Sequence, residues 1–369
     1  MSVLFENISI GAMSLANRFV RAATYESRAD DNGGSTVELE DFLAEVAAGG
    51  TGLIITGHAY VLRNGKAGPG QTGIYSDDLV PGLRRIPERV HEHGSMVALQ
   101  LSHAGANSRP EKPSGPLLAP SEFRGMHGEM ARQMSESEIT GIIDAFIIAG
   151  ARARQAGFDA VELHASHGQL LHQFISPFWN RRTDAYGGNP EKRSRVLTEI
   201  CARMRYALGA DYPIIVKLSS EDFMDGGLKI DESAWIAGRL CEAGVSAIEV
   251  TGGSRYPGDV PHIRPDIASE MDEAYFAENA SRIKEQINVP LILVGGIRSF
   301  DVAEGLVKSG RADLIAMCRP LIREPRLINR WKSGDRSKAR CKSDNRCFFE
   351  SFKRPPLRCI MAEKEEEPV

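Results

Sequence analysis

Short apolar runs alternate with longer amphipathic stretches along this chain, and the alternation repeats eight times. The runs lie at 18–22, 52–56, 96–101, 160–164, 214–218, 247–251, 291–294 and 314–317. They are rich in Val, Ile and Leu and show little strict alternation of apolar with polar positions. A strand wetted on one face alternates with a period of two, whereas a strand buried on both faces is apolar throughout. The pattern therefore predicts parallel strands covered on both sides. The stretches between them predict helices at 37–48, 79–93, 135–156, 189–208, 231–243, 274–286, 299–309 and near 325–332. Ser135 with Glu138 three residues on predicts a capping box at the start of the third stretch. Gly157 predicts its end. Joints such as Ala156-Gly157-Phe158-Asp159 and Ala243-Gly244-Val245-Ser246 are alike, as repeated units would be.

Eight strand–helix units predict a (β/α)8 barrel, whose usual size is about 250 residues plus insertions. A doubly wound open sheet fits less well, because no Gly-x-Gly-x-x-Gly opens a helix after the first strand. The barrel is expected over 1–332, with extra length in three places. Residues 1–11 predict a small hairpin closing the barrel bottom. Residues 104–134, rich in Gly, Pro and Ser, predict a long loop after the third strand. Residues 333–369 form a C-terminal extension carrying Cys341, Cys347 and Cys359, with an acidic end expected to fray.

Composition narrows the function. The 369 residues are 42% hydrophobic and 25% charged, with a formal net charge of -4. Such a chain has no general field for nucleic acid or an anionic membrane. The basic pieces, Arg181-Arg182 and 336–346, are short enough for a local anion site or a solvated face. No run reaches the roughly 20 apolar residues of a membrane helix. The first residues carry no basic region before an apolar core, so a cytoplasmic, reducing location is expected. The six cysteines are then expected as thiols or metal ligands rather than disulfides. Cys201 and Cys241 sit in apolar helical patterns that predict buried packing. A small molecule is the expected partner, with a homo-oligomer possible. In such an oligomer Phe348, Phe349 or Arg354 of the extension could complete a neighbour's site.

Barrel enzymes keep their chemistry at the C-terminal ends of the strands. Those ends present Ala22-Ala23-Thr24-Tyr25, Thr56-Gly57-His58, Gln100 with His103 beyond it, His164 and His167, Lys217, Thr251-Gly252-Gly253, Gly295-Gly296-Ile297 and Cys318-Arg319. Gly295-Gly296 allows backbone amides to approach a ligand, and a helix starting near Ser299 would point its N-terminus at the same place. With the Arg319 guanidinium this predicts a phosphate site after strands seven and eight; a tight turn with a surface ion pair is the alternative. Lys217 ends an apolar strand, where a cation needs an anionic or electron-rich partner. An ion pair with Glu249 or Glu162 and a functional cation in the barrel mouth suit it equally. His164 and His167 could bind metal, transfer protons or donate hydrogen bonds. Proximity to Gln100 and Lys217 favours donation to a bound heterocycle, and no further ligand has the spacing zinc needs.

These pieces resemble the Old Yellow Enzyme family of FMN-dependent NAD(P)H:flavin oxidoreductases. The resemblance runs from about Leu4 to Arg326. It rests on Asn17-Arg18-Phe19-Val20, Gln100-Leu101-Ser102-His103-Ala104-Gly105, His164-Ala165-Ser166-His167-Gly168, Ser176-Pro177, the run from Arg182 to Gly188, and Gly310-Arg311-Ala312-Asp313. It implies a non-covalent FMN across the barrel mouth. Ala23, Thr24 and Gly57 would then meet the ring, Gln100 its pyrimidine edge, and Lys217 its N1 and O2 side. Gly253 would join the cofactor's residues, while Gly296, Cys318 and Arg319 would hold the phosphate. His164 and His167 would anchor a substrate oxygen. NAD(P)H would reduce the cofactor, and a polarised alkene would then accept the hydride.

Three positions depart from the family. Gln169 stands where the usual proton donor is a tyrosine two residues after the second histidine. An amide is a very poor acid, so Tyr25 or water would have to serve. Cys318 replaces a glycine beside the phosphate arginine. In the extension, Cys341, Asp344, Cys347 and Cys359 follow the spacing of a [4Fe-4S] segment found in longer relatives. The carboxylate at the second position argues against a cluster, since ligation normally uses thiolates. The resemblance therefore implies an ene-reductase-like enzyme. The alternatives are an FMN dehydrogenase or demethylase running oxidatively, favoured by Gln169, and a flavin-binding protein without turnover.

Overall fold

The computed structural model describes residues 2–109, 115–254, 256, 261–353 and 355–366. Eight parallel strands form a closed barrel: β1 (Phe19–Arg21), β2 (Leu53–Ile55), β3 (Met96–Ser102), β4 (Ala160–Ala165), β5 (Ile214–Ser219), β6 (Ala247–Thr251), β7 (Leu291–Val294) and β8 (Leu314–Met317). Each pairs with the next, and β8 closes on β1 through Ala316 opposite Val20. The helices between them are α1 (Val37–Ala48), α2 (Arg85–His91), α3 (Glu136–Gln155), α4 (Pro190–Leu208), α5 (Ile230–Glu242), α6 (Ala277–Lys284), α7 (Phe300–Lys308) and α8 (Leu327–Lys332).

Alternation along each strand builds two cores. Phe19, Ile54, Val97, Leu99, Val161 and Val216 face outward onto the helices. Val20, Ile55, Ala98, Ile215, Ile292 and Leu314 face inward and fill the lower barrel. The hairpin that plugs the bottom is Ile8–Ile10 with Met13–Leu15, so it begins and ends later than the 1–11 expected. Ile10, Met13 and Leu15 enter the inner core. Each such buried side chain is worth roughly 1.5–3 kcal/mol.

Local signals explain most boundaries. Ser135 and Glu138 form the reciprocal capping box of α3, worth about 1 kcal/mol. Asn189 caps α4, with Pro190 in its first turn. The helix expected over 79–93 is instead interrupted at Arg84, leaving Val80–Leu83 and α2. Pro87 has no N–H to give the Leu83 carbonyl, which removes the bond that would span the joint.

Within the long insertion after β3, residues 115–134 are more ordered than a loop. Leu118–Ala119 and Phe123–Arg124 both pair with Met130–Gln133 in a small sheet. A short helix, Leu170–Ile175, follows β4. The extension folds back over the mouth and carries two more helices, Arg346–Lys353 and Ile360–Glu366. Arg298 donates to the Cys341 carbonyl at 2.5 Å, and Arg28 to the Leu357 carbonyl at 2.9 Å. No helix among the described residues is long and apolar enough to cross a membrane.

Candidate active site

The C-terminal ends of the strands open into a cavity of about 490 Å³, within the usual range of small-molecule sites, roughly 300–1,000 Å³. Ala23, Thr24, Tyr25, Gln100, His164, His167, Lys217, Gly296, Cys318 and Arg319 all line it. Gly57 and Gly253 are not among its walls. An added Cβ at Gly57 would collide with the Glu26 carboxylate, to which the Gly57 N–H donates at 2.8 Å. Gly253 donates its N–H to the Glu221 carbonyl and has a φ of 71°.

The floor is a polar layer on four consecutive strands. Gln100 of β3, Glu162 of β4, Lys217 of β5 and Glu249 of β6 point inward, all almost fully buried. Gln100 Nε2 donates to Glu162 Oε2 at 2.6 Å, and Lys217 Nζ to Glu249 Oε1 at 2.6 Å. Burial disfavours the Lys217 charge, yet Glu249 and Glu162 outweigh it and raise its pKa. Burial, followed by the Glu249 charge, pushes Glu162 well above the usual carboxylate range. Lys217 is thus both buried partner and cavity wall.

Two imidazoles stand on the β4 side. His164 and His167 have ring centroids 5.2 Å apart and meet edge to face. His167 adopts φ 58°, a left-handed conformation a bulky side chain rarely accepts. The next turn holds it there: Gly168 N donates to His172 Nδ1 at 2.8 Å, and His172 Nε2 lies 2.8 Å from Asp222 Oδ1. His164 Nδ1 is 3.1 Å from Ser166 Oγ, and His167 Nε2 is 2.9 Å from Thr251 Oγ1. Burial, together with the neighbouring cationic forms, keeps both rings well below their ordinary pKa, so they are neutral donors and acceptors.

Two further histidines complete this wall. His58, at the end of β2, stacks on Tyr25 with centroids 5.4 Å apart, and its Nδ1 is 2.7 Å from Gln71 Nε2. Burial lowers its pKa to about 4. The strand-end pattern already exposed His58 as a candidate. His262 stacks on His167 at 4.2 Å; it lies in an irregular loop after β6, where no periodic signal marks it. His103 takes no part in the cavity. Its Nδ1 accepts from Gly105 N and its Nε2 reaches Asn64 Oδ1, which ties down the loop after β3.

At the far end, Gly295 and Gly296 have φ of 148° and 75°. An added Cβ at Gly296 would lie 2.7 Å from the Tyr275 ring, so the pair must be glycine for close approach. Arg319 is buried, and its Nη1 donates to Asn345 Oδ1 at 2.6 Å and the Arg264 carbonyl at 2.9 Å. Thr24 Oγ1 and Cys318 Sγ are 2.8 Å apart. The N-terminus of α7 is not open to a ligand, contrary to expectation. Glu273 accepts from Arg298 N, Ser299 N and Ser299 Oγ at 2.7–2.9 Å and caps it internally.

The extension forms part of the cavity. Ser343, Cys347, Phe348, Pro355 and Leu357 line it. Phe348 therefore serves its own chain's cavity, Phe349 is 55% exposed, and Arg354 lies outside the described residues. Cys341, Asp344, Cys347 and Cys359 share one recess of about 20 Å³, room for about one water. Burial raises the Cys341 and Cys347 thiols, Cys347 to about 12. Among the described residues no three potential ligands are gathered closely enough to hold a metal. The four groups would have to move before a cluster or ion could be ligated there.

The run from Arg182 to Gly188, the most specific of the sequence motifs, lies outside the cavity. Arg182 donates to the Pro120 and Met134 carbonyls at 2.8 and 2.7 Å and pairs with Asp184 at 2.5 Å. An added Cβ at Gly187 would strike Arg182. The motif is scaffold: it fastens the returning insertion beside α3.

Residues 3–338 match the model of the NADH:flavin oxidoreductase / NADH oxidase family. The chain belongs to that family. A metal reductase of Desulforamulus reducens is 35% identical over 98% of the chain, which spans about half (53%) of that protein. An NADPH dehydrogenase of Bacillus subtilis is 34% identical, with 87% of this chain covering 92% of it. The structure of a 2-naphthoyl-CoA reductase bound to 2-naphthoyl-CoA superposes with a TM-score of 0.89 at 28% identity, over 99% of this chain and 58% of that one. The resemblance to the Old Yellow Enzyme family is thus borne out, and with it FMN and NAD(P)H as the family's cofactor and reductant.

The cavity fits that cofactor by its own features. A glycine pair beside a buried arginine suits a phosphate, and Lys217 with Gln100 suits the electron-rich edge of a heterocycle.

Proposed function

We propose that the protein is an FMN-dependent, NAD(P)H-linked reductase of a small unsaturated carbonyl compound. Ala23, Thr24, Gln100 and Lys217 would hold the ring of FMN, and Gly296, Cys318 and Arg319 its phosphate. When bound, FMN would supply the hydride chemistry that links NAD(P)H to the acceptor. The observation that carries this reading is the convergence of the His164 and His167 rings, both neutral, over a floor formed by Gln100 and Lys217. A carbonyl or phenolate oxygen would accept hydrogen bonds from the two imidazoles and be polarised by them. Tyr25 also faces the cavity, but its hydroxyl donates to the Pro69 carbonyl.

Reconstitution with FMN is expected to give a yellow protein that NADH or NADPH bleaches anaerobically; a colourless protein after FMN exchange would end the assignment. His164→Ala and His167→Ala are each expected to weaken binding of a phenol about tenfold, the worth of a hydrogen bond near 1.4 kcal/mol. Charge-transfer absorbance during phenol titration measures this. Unchanged affinity in both variants would remove the anchoring role.

Gln169 favours a second reading, oxidation of a substrate with hydride passing to FMN, since that direction needs no acid at this place. Turnover with an artificial electron acceptor in the absence of any alkene distinguishes it.

A further inference from the structure

Glu162 and Glu249 are fully buried, and both hold an oxygen with no hydrogen-bond donor among the described residues, Glu162 Oε1 and Glu249 Oε2. Two buried carboxylates with orphaned oxygens are costly. One proton between them satisfies both, because it turns one carboxyl into the other's donor. Glu162 on β4 and Glu249 on β6 lie on the two sides of β5, and both turn into the same buried floor as Lys217. The floor then holds one ammonium, one carboxylate and one neutral carboxyl, and the Lys217 charge is already cancelled.

That balance matters for the cofactor. A hydride brings two electrons and one proton and leaves the flavin with one more negative charge. A lone lysine would meet that charge directly, whereas a lysine neutralised by Glu249 does not. We propose that the Glu162–Glu249 pair takes up a second proton, from solvent, when the bound FMN is reduced, and that Lys217 connects the pair to the cavity. The proposal rests on the flavin reading above.

Lys217 lines the cavity, whereas neither glutamate does. It passes an N–H proton along its 2.6 Å bond to Glu249 and takes a replacement from the cavity. One O–H bond forms on the carboxylate, one N–H bond breaks and re-forms, and the floor gains a single positive charge. The groups facing the pair leave it as the natural acceptor. β3 offers the Gln100 amide, and β4 itself carries His164 above, held neutral by burial. The Cys318 thiol of the β8 end lines the same cavity as Lys217. Towards the mouth, the inward positions at the ends of β1, β2, β7 and β8 are Ala22, Ile55, Val294 and Ala316, all apolar. Glu162 and Glu249 are positioning residues here: they act on the cofactor through Lys217 and Gln100.

The test compares the FMN-loaded wild type with Glu162→Gln/Glu249→Gln, whose amides keep the shape of the carboxyls. Each is reduced anaerobically with NADH or NADPH in weak buffer containing a pH indicator. About one solvent proton per FMN is expected for the wild type and about none for the double variant, as proton linkage requires. The reduced-minus-oxidised infrared spectrum is expected to gain a protonated-carboxyl band in the wild type and to lose that change in the double variant. Each single variant keeps one carboxyl and should keep the uptake over a narrower pH range. Equal uptake in wild type and double variant would overturn the proposal, as would uptake without a carboxyl band, which places the proton on the flavin ring. Failure to bind FMN, or to be reduced by either nicotinamide, would instead strike the flavin reading and the proposal with it.

Discussion

Gln169→Tyr is expected to speed reduction of a cyclic enone by about 10²- to 10⁴-fold, the usual worth of a positioned acid, while leaving reduction of the cofactor by NAD(P)H unchanged. Adding hydride to one carbon of an activated alkene leaves a carbanion-like partner that must be protonated. Gln169 lines the cavity two residues after His167, and its Oε1 accepts from Ser102 Oγ at 3.0 Å. It is thus anchored in the right place, but it has no proton to give at neutral pH. The Tyr25 hydroxyl, which also lines the cavity, is committed to the Pro69 carbonyl. His58 cannot serve as an acid either, since burial lowers it to about 4 and it has already lost its proton. Anaerobic stopped-flow separates the two half-reactions. A gain confined to the enone step supports the missing acid. No gain, with the enone still binding, would mean that water already supplies the proton, or that the natural reaction runs in the oxidative direction.

The barrel was legible because a strand buried on both faces must be apolar, and that demand recurs eight times. The legible part of the site followed from topology: residues at strand ends must face the mouth, which placed His164, His167, Lys217 and Gln100 together. What escaped depended on contacts between distant parts of the chain. Glu273 fills the α7 N-terminus from a loop before α6, and nothing local distinguishes a helix start capped by protein from one left for a phosphate. The small sheet at Leu118–Ala119 and Met130–Gln133 has strands too short to show a period. The Arg182 motif was recognisable as a pattern, yet its role lay in the two carbonyls it reaches, Pro120 and Met134. Lys217 shows the limit most clearly. Sequence posed an ion pair against a cavity cation as alternatives, and the register of β5 beside β6 makes it both.

The flavin-free protein is expected to lose stability steeply as pH falls from about 6.5 toward 4, the window set by its buried histidines. Four rings are held below their ordinary pKa by burial: His58 at about 4, His103 at about 3, and His164 and His167 well below 6.5. The bonding agrees. His103 Nδ1 already accepts from Gly105 N and His58 Nδ1 faces the Gln71 amide, so a proton on either nitrogen would confront another N–H. The unfolded chain takes up protons near pH 6.5 while the folded chain does not. Folding stability from these groups is therefore complete above pH 6.5 and is lost as pH falls through the window. Each ring contributes about 1.4 kcal/mol per pH unit, or roughly 5 kcal/mol per unit for four. A domain has only about 5–15 kcal/mol in hand. Glu162 acts oppositely: its raised pKa adds stability below the ordinary carboxylate range that fades as pH rises through the raised value, so it flattens the acid limb without reversing it. Urea midpoints at half-unit steps from pH 7 to 4.5 measure the slope. His103→Asn, which removes a ring outside the cavity, should lower the histidine part of the slope by about one quarter. A flat profile across the window would show that these rings are protonated in the folded state, which would also remove the neutral imidazoles on which substrate anchoring depends.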